Sequence, residues 1–151
     1  MEKLFETAIF TRRSMLKILE GKTYEELVRI PEGFNNSLFW NIAHLLITQQ
    51  LLFYKLSGKS LMIDTELVAK YGKGSIATEK ISTYDIDYVK DHLVSAMEKT
   101  KEDHEKGLFD NMETYKTSTG IELRNIEDVI SFSTFHDGIH LGIVLALLKV
   151  I

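Results

Sequence analysis

The run LFWNIAHLLITQQLLFYKL, residues 38–56, carries no charged side chain before Lys55. Wound into a helix of about five turns, it places apolar residues on nearly every side and leaves no face suited to water. Such a helix must be surrounded, and the rest of a 151-residue chain has to supply what surrounds it. At that length one domain with one substantial core is the expectation, spanning residues 1–151.

Proline occurs once, at Pro31. Proline removes a backbone donor and clashes inside helices, so its near absence permits long ones. Leu4, Phe5, Ala8, Ile9, Met15, Leu16 and Leu19 recur at spacings of three and four, with Lys3, Arg13, Lys17 and Glu20 on the other side, which predicts an amphipathic helix over 3–20. Gly21 is expected to end it in the left-handed conformation, and Thr23 to cap a short turn through TYEELV. Ser37 is the expected cap of the second helix, which stops at Gly58. Residues 57–82 mix glycine, serine and lysine with a few apolar anchors, a long connection of the kind that crossovers and site lids use, with a short helix near 65–71.

Ser82 or Thr83 caps a third helix, whose stripe of Ile86, Val89, Leu93, Ala96, Met97 and Thr100 continues to Gly107. Residues 108–124 read as a small hairpin or a folded loop. Asn125 followed by Asp128 resembles a capping box with a shortened acid, opening a fourth helix through Ile126, Val129, Ile130, Phe132, Ile139, Ile143, Val144 and Leu147. Four long helices without a convincing strand partner predict an all-α four-helix bundle. The long connection after helix two argues for a crossover there, with helices two and three running in the same direction.

Composition narrows the function. Eighteen basic residues scattered among 22 acidic ones, for a net charge of -4, offer no dense cationic face, so no nucleic-acid partner is expected. No wholly apolar run of 18 residues is present, and the opening MEKLFETAIFTRR has acids where a signal peptide needs a clean apolar stretch. A cytoplasmic protein with no membrane partner is the expectation. The chain has no cysteine, so a tight transition-metal site has to come from histidine and carboxylate.

Within that constraint the stretch FHDGIHLG stands out, because it puts His136 and His140 one helical turn apart in the most apolar part of the chain. Side chains at i and i+4 are neighbours, so the pair suits a shared cation. It equally suits two core histidines bonded to carbonyls or hydroxyls. His44, inside the uncharged second helix and without a nearby carboxylate, is a third imidazole needing a partner. Leaving such groups unsatisfied costs about 1–3 kcal/mol each, and one divalent cation would serve all three. Catalytic zinc sites use three protein ligands and an open position, whereas structural sites close the shell with four. His92, beside Asp91, and His104, among Lys101, Glu102, Asp103, Glu105 and Lys106, have plainer explanations. Asp137, about 100 degrees round the helix from His136, is placed either toward solvent or behind the ligands. Gly138 and Gly142 suggest close approach of another backbone or a ligand, or simple helix packing.

With WNIAHLL early in helix two and FHDGIHLG in helix four, the sequence resembles the DinB/YfiT-like superfamily of proposed metalloenzymes. The resemblance covers essentially the whole chain. It implies a four-helix bundle of up-down-down-up arrangement, with a divalent ion between helices two and four held by His44, His136 and His140. It also implies chemistry of the kinds found there, thiol-dependent S-transfer, isomerisation with a low-molecular-weight thiol, or metal-dependent hydrolysis. Asp137 stands where some relatives carry glutamate. The expected cofactor is Zn2+ or Ni2+, and the expected substrate is a small molecule, with a low-molecular-weight thiol as a candidate partner. The apolar surplus of Phe39, Phe53 and Tyr54, together with the C-terminal VLALLKVI, suggests a homodimer seam. The segment 58–81 is the expected substrate-facing wall.

Overall fold

The computed structural model describes residues 1–75 and 81–151. These are mostly helical: α1 (Glu2–Glu20), α2 (Tyr24–Val28), α3 (Leu38–Gln50), α4 (Glu66–Tyr71), α5 (Thr83–His92), α6 (Ser95–Glu105) and α7 (Ile126–Leu147). A single π-helical turn, Leu51–Lys55, continues α3. The segment before α7 carries a small antiparallel hairpin, β1 (Tyr115–Lys116) paired with β2 (Glu122–Leu123).

Polar side chains start the helices where the sequence places them. Thr23 and Glu26 close a reciprocal capping box at α2, and Ser82 with Asp85 closes another at α5. The Ser37 hydroxyl accepts from Trp40 N, and Asn125 Oδ1 accepts from Asp128 N. Each cap satisfies a backbone donor that the first turn would otherwise leave orphaned.

Packing gives the helix directions. Phe5 clusters with Val129 and Ile130, Arg12 reaches Asp137, and Met15 and Leu19 cluster with Val144 and Leu147, so α1 and α7 lie side by side in the same sense. Asn41 meets His140 while Leu52 and Phe53 meet Val129 and Ile130, so α3 runs against α7. Ile86 and Val89 pack at the start of α3, and Thr100 and Asp103 bond Gln49 and Tyr54 at its end, so α5 and α6 run parallel to α3. Residues 38–54, α3 and most of its π turn, are almost wholly enclosed: Phe39 and Phe53 are 0% exposed and Tyr54 1%.

Several expectations are corrected. Phe39, Phe53 and Tyr54 belong to the core and form no seam. Gly21 ends α1 at φ -87°, an ordinary right-handed value, while Gly58 and Gly107 take positive φ. The third helix is two helices. Leu93 O lies 3.5 Å from the Arg12 guanidinium, and Met97 N bonds Val94 O, so the carbonyl at the break serves a side chain of α1. The buried face of α7 is Ile130, Ser133, Asp137, His140, Val144 and Leu147, a spacing of three and four that includes Asp137 and leaves Ile139 exposed. Cβ atoms built on Gly138 or Gly142 would meet nothing within 4 Å, so neither glycine is required by a close approach in this chain. By length and hydropathy α7 could cross a bilayer, with a mean hydropathy of 1.3, although a third of that window is buried in the chain.

Candidate metal centre

His44 on α3 and His136 and His140 on α7 converge where the two helices face each other. Their ring centroids are 5.2 Å (His44–His136), 5.0 Å (His44–His140) and 4.6 Å (His136–His140) apart. One nitrogen from each ring lies within 4.8 Å of the others. His92 and His104 lie elsewhere: the first stacks on Tyr88 and bonds Tyr88 O at 2.8 Å, the second stacks on Phe5.

The surrounding bonds determine which nitrogen is available. His44 Nδ1 is 2.7 Å from Tyr71 O, and a carbonyl can only accept, so Nδ1 carries the proton and Nε2 keeps its lone pair. Asn41 donates its amide to Ser37 O at 2.8 Å, which turns Oδ1 toward His140 Nδ1 at 2.9 Å. His140 therefore also presents a bare Nε2. Outer bonds of this kind fix the tautomer and orientation of metal-binding imidazoles. His44 Nε2 accepts from Thr48 Oγ1 at 3.1 Å, a bond that a cation would replace. The His136 ring has no hydrogen-bond partner among the described residues and rests on Phe132. Zinc–nitrogen bonds of about 2.0–2.1 Å need donors about 3.4 Å apart, so small side-chain rotations suffice. Trp40 covers the group from one side, stacked on His44 at 4.7 Å and 11°.

Burial holds the rings neutral, the state a metal requires. The pKa of His136 is pushed down to about 3, by burial first and then by His140, His44 and Arg12. That of His140 falls to about 4, by burial and then His44, and burial also lowers His44. The unfolded chain takes up these protons near pH 6.5 and the folded chain does not, so it binds fewer protons throughout the interval. Stability of the chelator-treated protein should therefore fall as pH drops from 7 toward 4, by about 1.4 kcal/mol per pH unit per histidine at most. Urea midpoints measured across that range check it. A flat profile from pH 7 to 5 would contradict the assignment.

Asp137 is 1% exposed and ion-paired: Arg12 Nε donates to Oδ2 at 3.1 Å, and Nη2 lies 3.5 Å from Oδ1. Burial pushes this carboxyl up while Arg12 pulls it down. The solvent-facing alternative for Asp137 is excluded. Arg12, itself 0% exposed, also bonds Gln49 Oε1 and Leu45 O, and Gln49 continues to Ala96 O and Thr100 Oγ1. Arg12, Gln49, Asn41 and Tyr71 are contributors that pattern reading passed over. Arg12 had a signal, since it falls on the α1 stripe between Ala8 and Met15; the Tyr71 carbonyl had none.

A cleft of about 260 Å³ reaches His140 and is lined by Phe34, Asn35, Asn36, Trp40, Asn41 and Ile143 with Gly33. The wall facing His140 is thus the loop before α3. Within 58–75 the contribution comes from behind, through Tyr71 O on His44 and Ser75 Oγ, which accepts from Trp40 Nε1 at 3.1 Å. Residues 76–80 of the expected wall lie outside the described residues.

A mostly helical protein with three neutral imidazoles gathered between two helices, each ring aimed by its neighbours, is of a class suited to holding a divalent cation. The family model described as the DinB superfamily matches residues 8–144, and the chain belongs to that superfamily. A search of curated proteins gives no match.

Proposed function

We propose that His44, His136 and His140 hold Zn2+ or Ni2+ and that the protein is a metal-dependent enzyme acting on a small molecule, with thiol-dependent S-transfer as the leading reaction. The single observation behind this is the pair of pinned tautomers, His44 on Tyr71 O and His140 on Asn41 Oδ1, which leave Nε2 lone pairs beside the unpartnered His136 ring. The helix directions support an up-down-down-up four-helix bundle, in which the histidine group sits between its second and fourth members.

When bound, such a cation favours the deprotonated form of a thiol or water that reaches its open position. The chain's own residues then orient and exclude. Trp40 and Phe34 shield the rings from bulk water, and the amides of Asn35 and Asn36 offer hydrogen bonds to an incoming molecule. Base-assisted hydrolysis would want a free carboxylate near the rings. Asp137 has its carboxylate turned onto Arg12, and no acid lines the cleft among the described residues. That difference favours thiol transfer over hydrolysis, because a thiol bound to the cation needs no separate base. The same lack of an acid–base group also favours a second reading, a metal-binding module without turnover.

The deciding experiment is isothermal titration of the zinc- and nickel-loaded protein with low-molecular-weight thiols, beside an esterase and amidase panel. Thiol binding that needs the metal is expected. Ester or amide turnover without thiol binding would move the assignment to hydrolase, and neither would leave the non-catalytic module. Asn41→Ala tests the orientation argument: metal affinity should weaken about 10- to 100-fold while the helical circular dichroism is kept. Affinity equal to that of the unmodified chain would show that the Asn41 contact does no orienting.

A further inference from the structure

The outward face of α7 has no partner among the described residues. Phe135 is 53% exposed, Ile139 42% and Leu145 50%, and Gly138, Gly142 and Ala146 are exposed beside them. Asp137, the one charge on α7 between Asp128 and Lys149, points inward, so the exposed stripe is uncharged for about five turns. A contiguous apolar strip of that length in water needs a cover.

We propose that the cover is a second copy of this chain, docked α7 against α7 in antiparallel fashion about a two-fold axis passing between Gly138 and Ile139. The stripe is complementary to itself in this one register. Phe135 of each copy falls opposite Gly142 of the other, filling the open space above that glycine. Ser131 falls opposite Ala146, and Ile139 opposite Gly138. Small residues at such positions let two helix backbones approach closely. The charges at the ends agree: Asp128 meets Lys149 at both ends of the seam. Arg124 lies 3.6 Å from Asp128, and the exposed Glu127 keeps that end net acidic. A parallel pairing would set Asp128 on Asp128, Lys149 on Lys149 and Phe135 on Phe135. An isologous contact along one 22-residue helix covers less than a standard interface of about 800 Å² per partner, so the dimer should be concentration-dependent. The face lies away from the histidine group, and the proposal does not depend on metal binding.

Sedimentation of the full chain should give a species of twice the 17.3 kDa chain mass that dissociates on dilution. Ile139→Arg should weaken it at least ~100-fold with helical circular dichroism unchanged. The absence of cysteine makes geometry readable by single substitutions. Ile139→Cys should cross-link to itself under mild oxidation. Lys149→Cys should not, because the two positions 149 lie about 32 Å apart along the seam, whereas a mixture of Lys149→Cys and Ser131→Cys chains should link, since Ser131 of one copy lies within about one helical turn of Lys149 of the other. Self-linking of Lys149→Cys would overturn the antiparallel register. A chain that stays monomeric at every concentration would overturn the proposal, as would Ile139→Arg losing binding to phosphatidylcholine–phosphatidylglycerol vesicles with no change in mass.

Discussion

Arg12→Met alone should cost about 3–5 kcal/mol of folding stability, because it leaves the Asp137 carboxylate buried without its countercharge. Both side chains are almost wholly out of water, and the guanidinium also serves Gln49, Leu45 O and Leu93 O, tying α1, α3, the α5–α6 break and α7 together at one level. Asp137→Leu alone should be comparably damaging, since it strands a guanidinium that cannot release its proton. The double variant Arg12→Met with Asp137→Leu removes both charges and should recover most of the loss, as apolar replacements of buried pairs commonly do. Urea denaturation of the four chains forms the cycle. Single variants as stable as the parent would mean that this pair is not held as a charged unit.

The second large effect concerns the ligands. His140→Ala should abolish stoichiometric uptake of zinc or nickel while the helical fold persists, because the core on either side of the site is apolar and continuous through Val144 and Leu147. Two imidazoles cannot replace three with an open position in a site lacking cysteine and a free carboxylate. Loss of folding together with loss of metal would instead assign the cation a structural role. His92→Ala and His104→Ala are the matched controls and should leave uptake unchanged, since both rings are occupied with Tyr88 and Phe5 away from the group.

What sequence reading captured follows from locality. The caps at Thr23, Ser37, Ser82 and Asn125 are bonds within three or four residues, and the enclosure of residues 38–54 follows from their lack of charge. The three histidines were legible because each is a polar residue on an apolar helix. The split at Leu93 was not, because the side chain that meets the carbonyl at the break is Arg12, 81 residues away. The inward turn of Asp137 could not be chosen over the solvent-facing alternative for the same reason. An aspartate beside a histidine looks equally suited to water until the buried arginine across the interface is known. The α3 part of the expected seam is core because the surplus apolar surface of Phe39, Phe53 and Tyr54 is absorbed within the chain, while Leu145 and Val150 of VLALLKVI stay exposed.

The most direct test of the central claim is a titration of tag-free, chelator-treated protein with zinc and nickel, followed by X-ray absorption at the bound metal. The account predicts one ion per chain, a first shell containing three imidazole nitrogens at about 2.0–2.1 Å, and loss of that signal in each of His44→Ala, His136→Ala and His140→Ala. A chain that takes up no ion, or one whose bound ion keeps its spectrum when any of the three is removed, would contradict it.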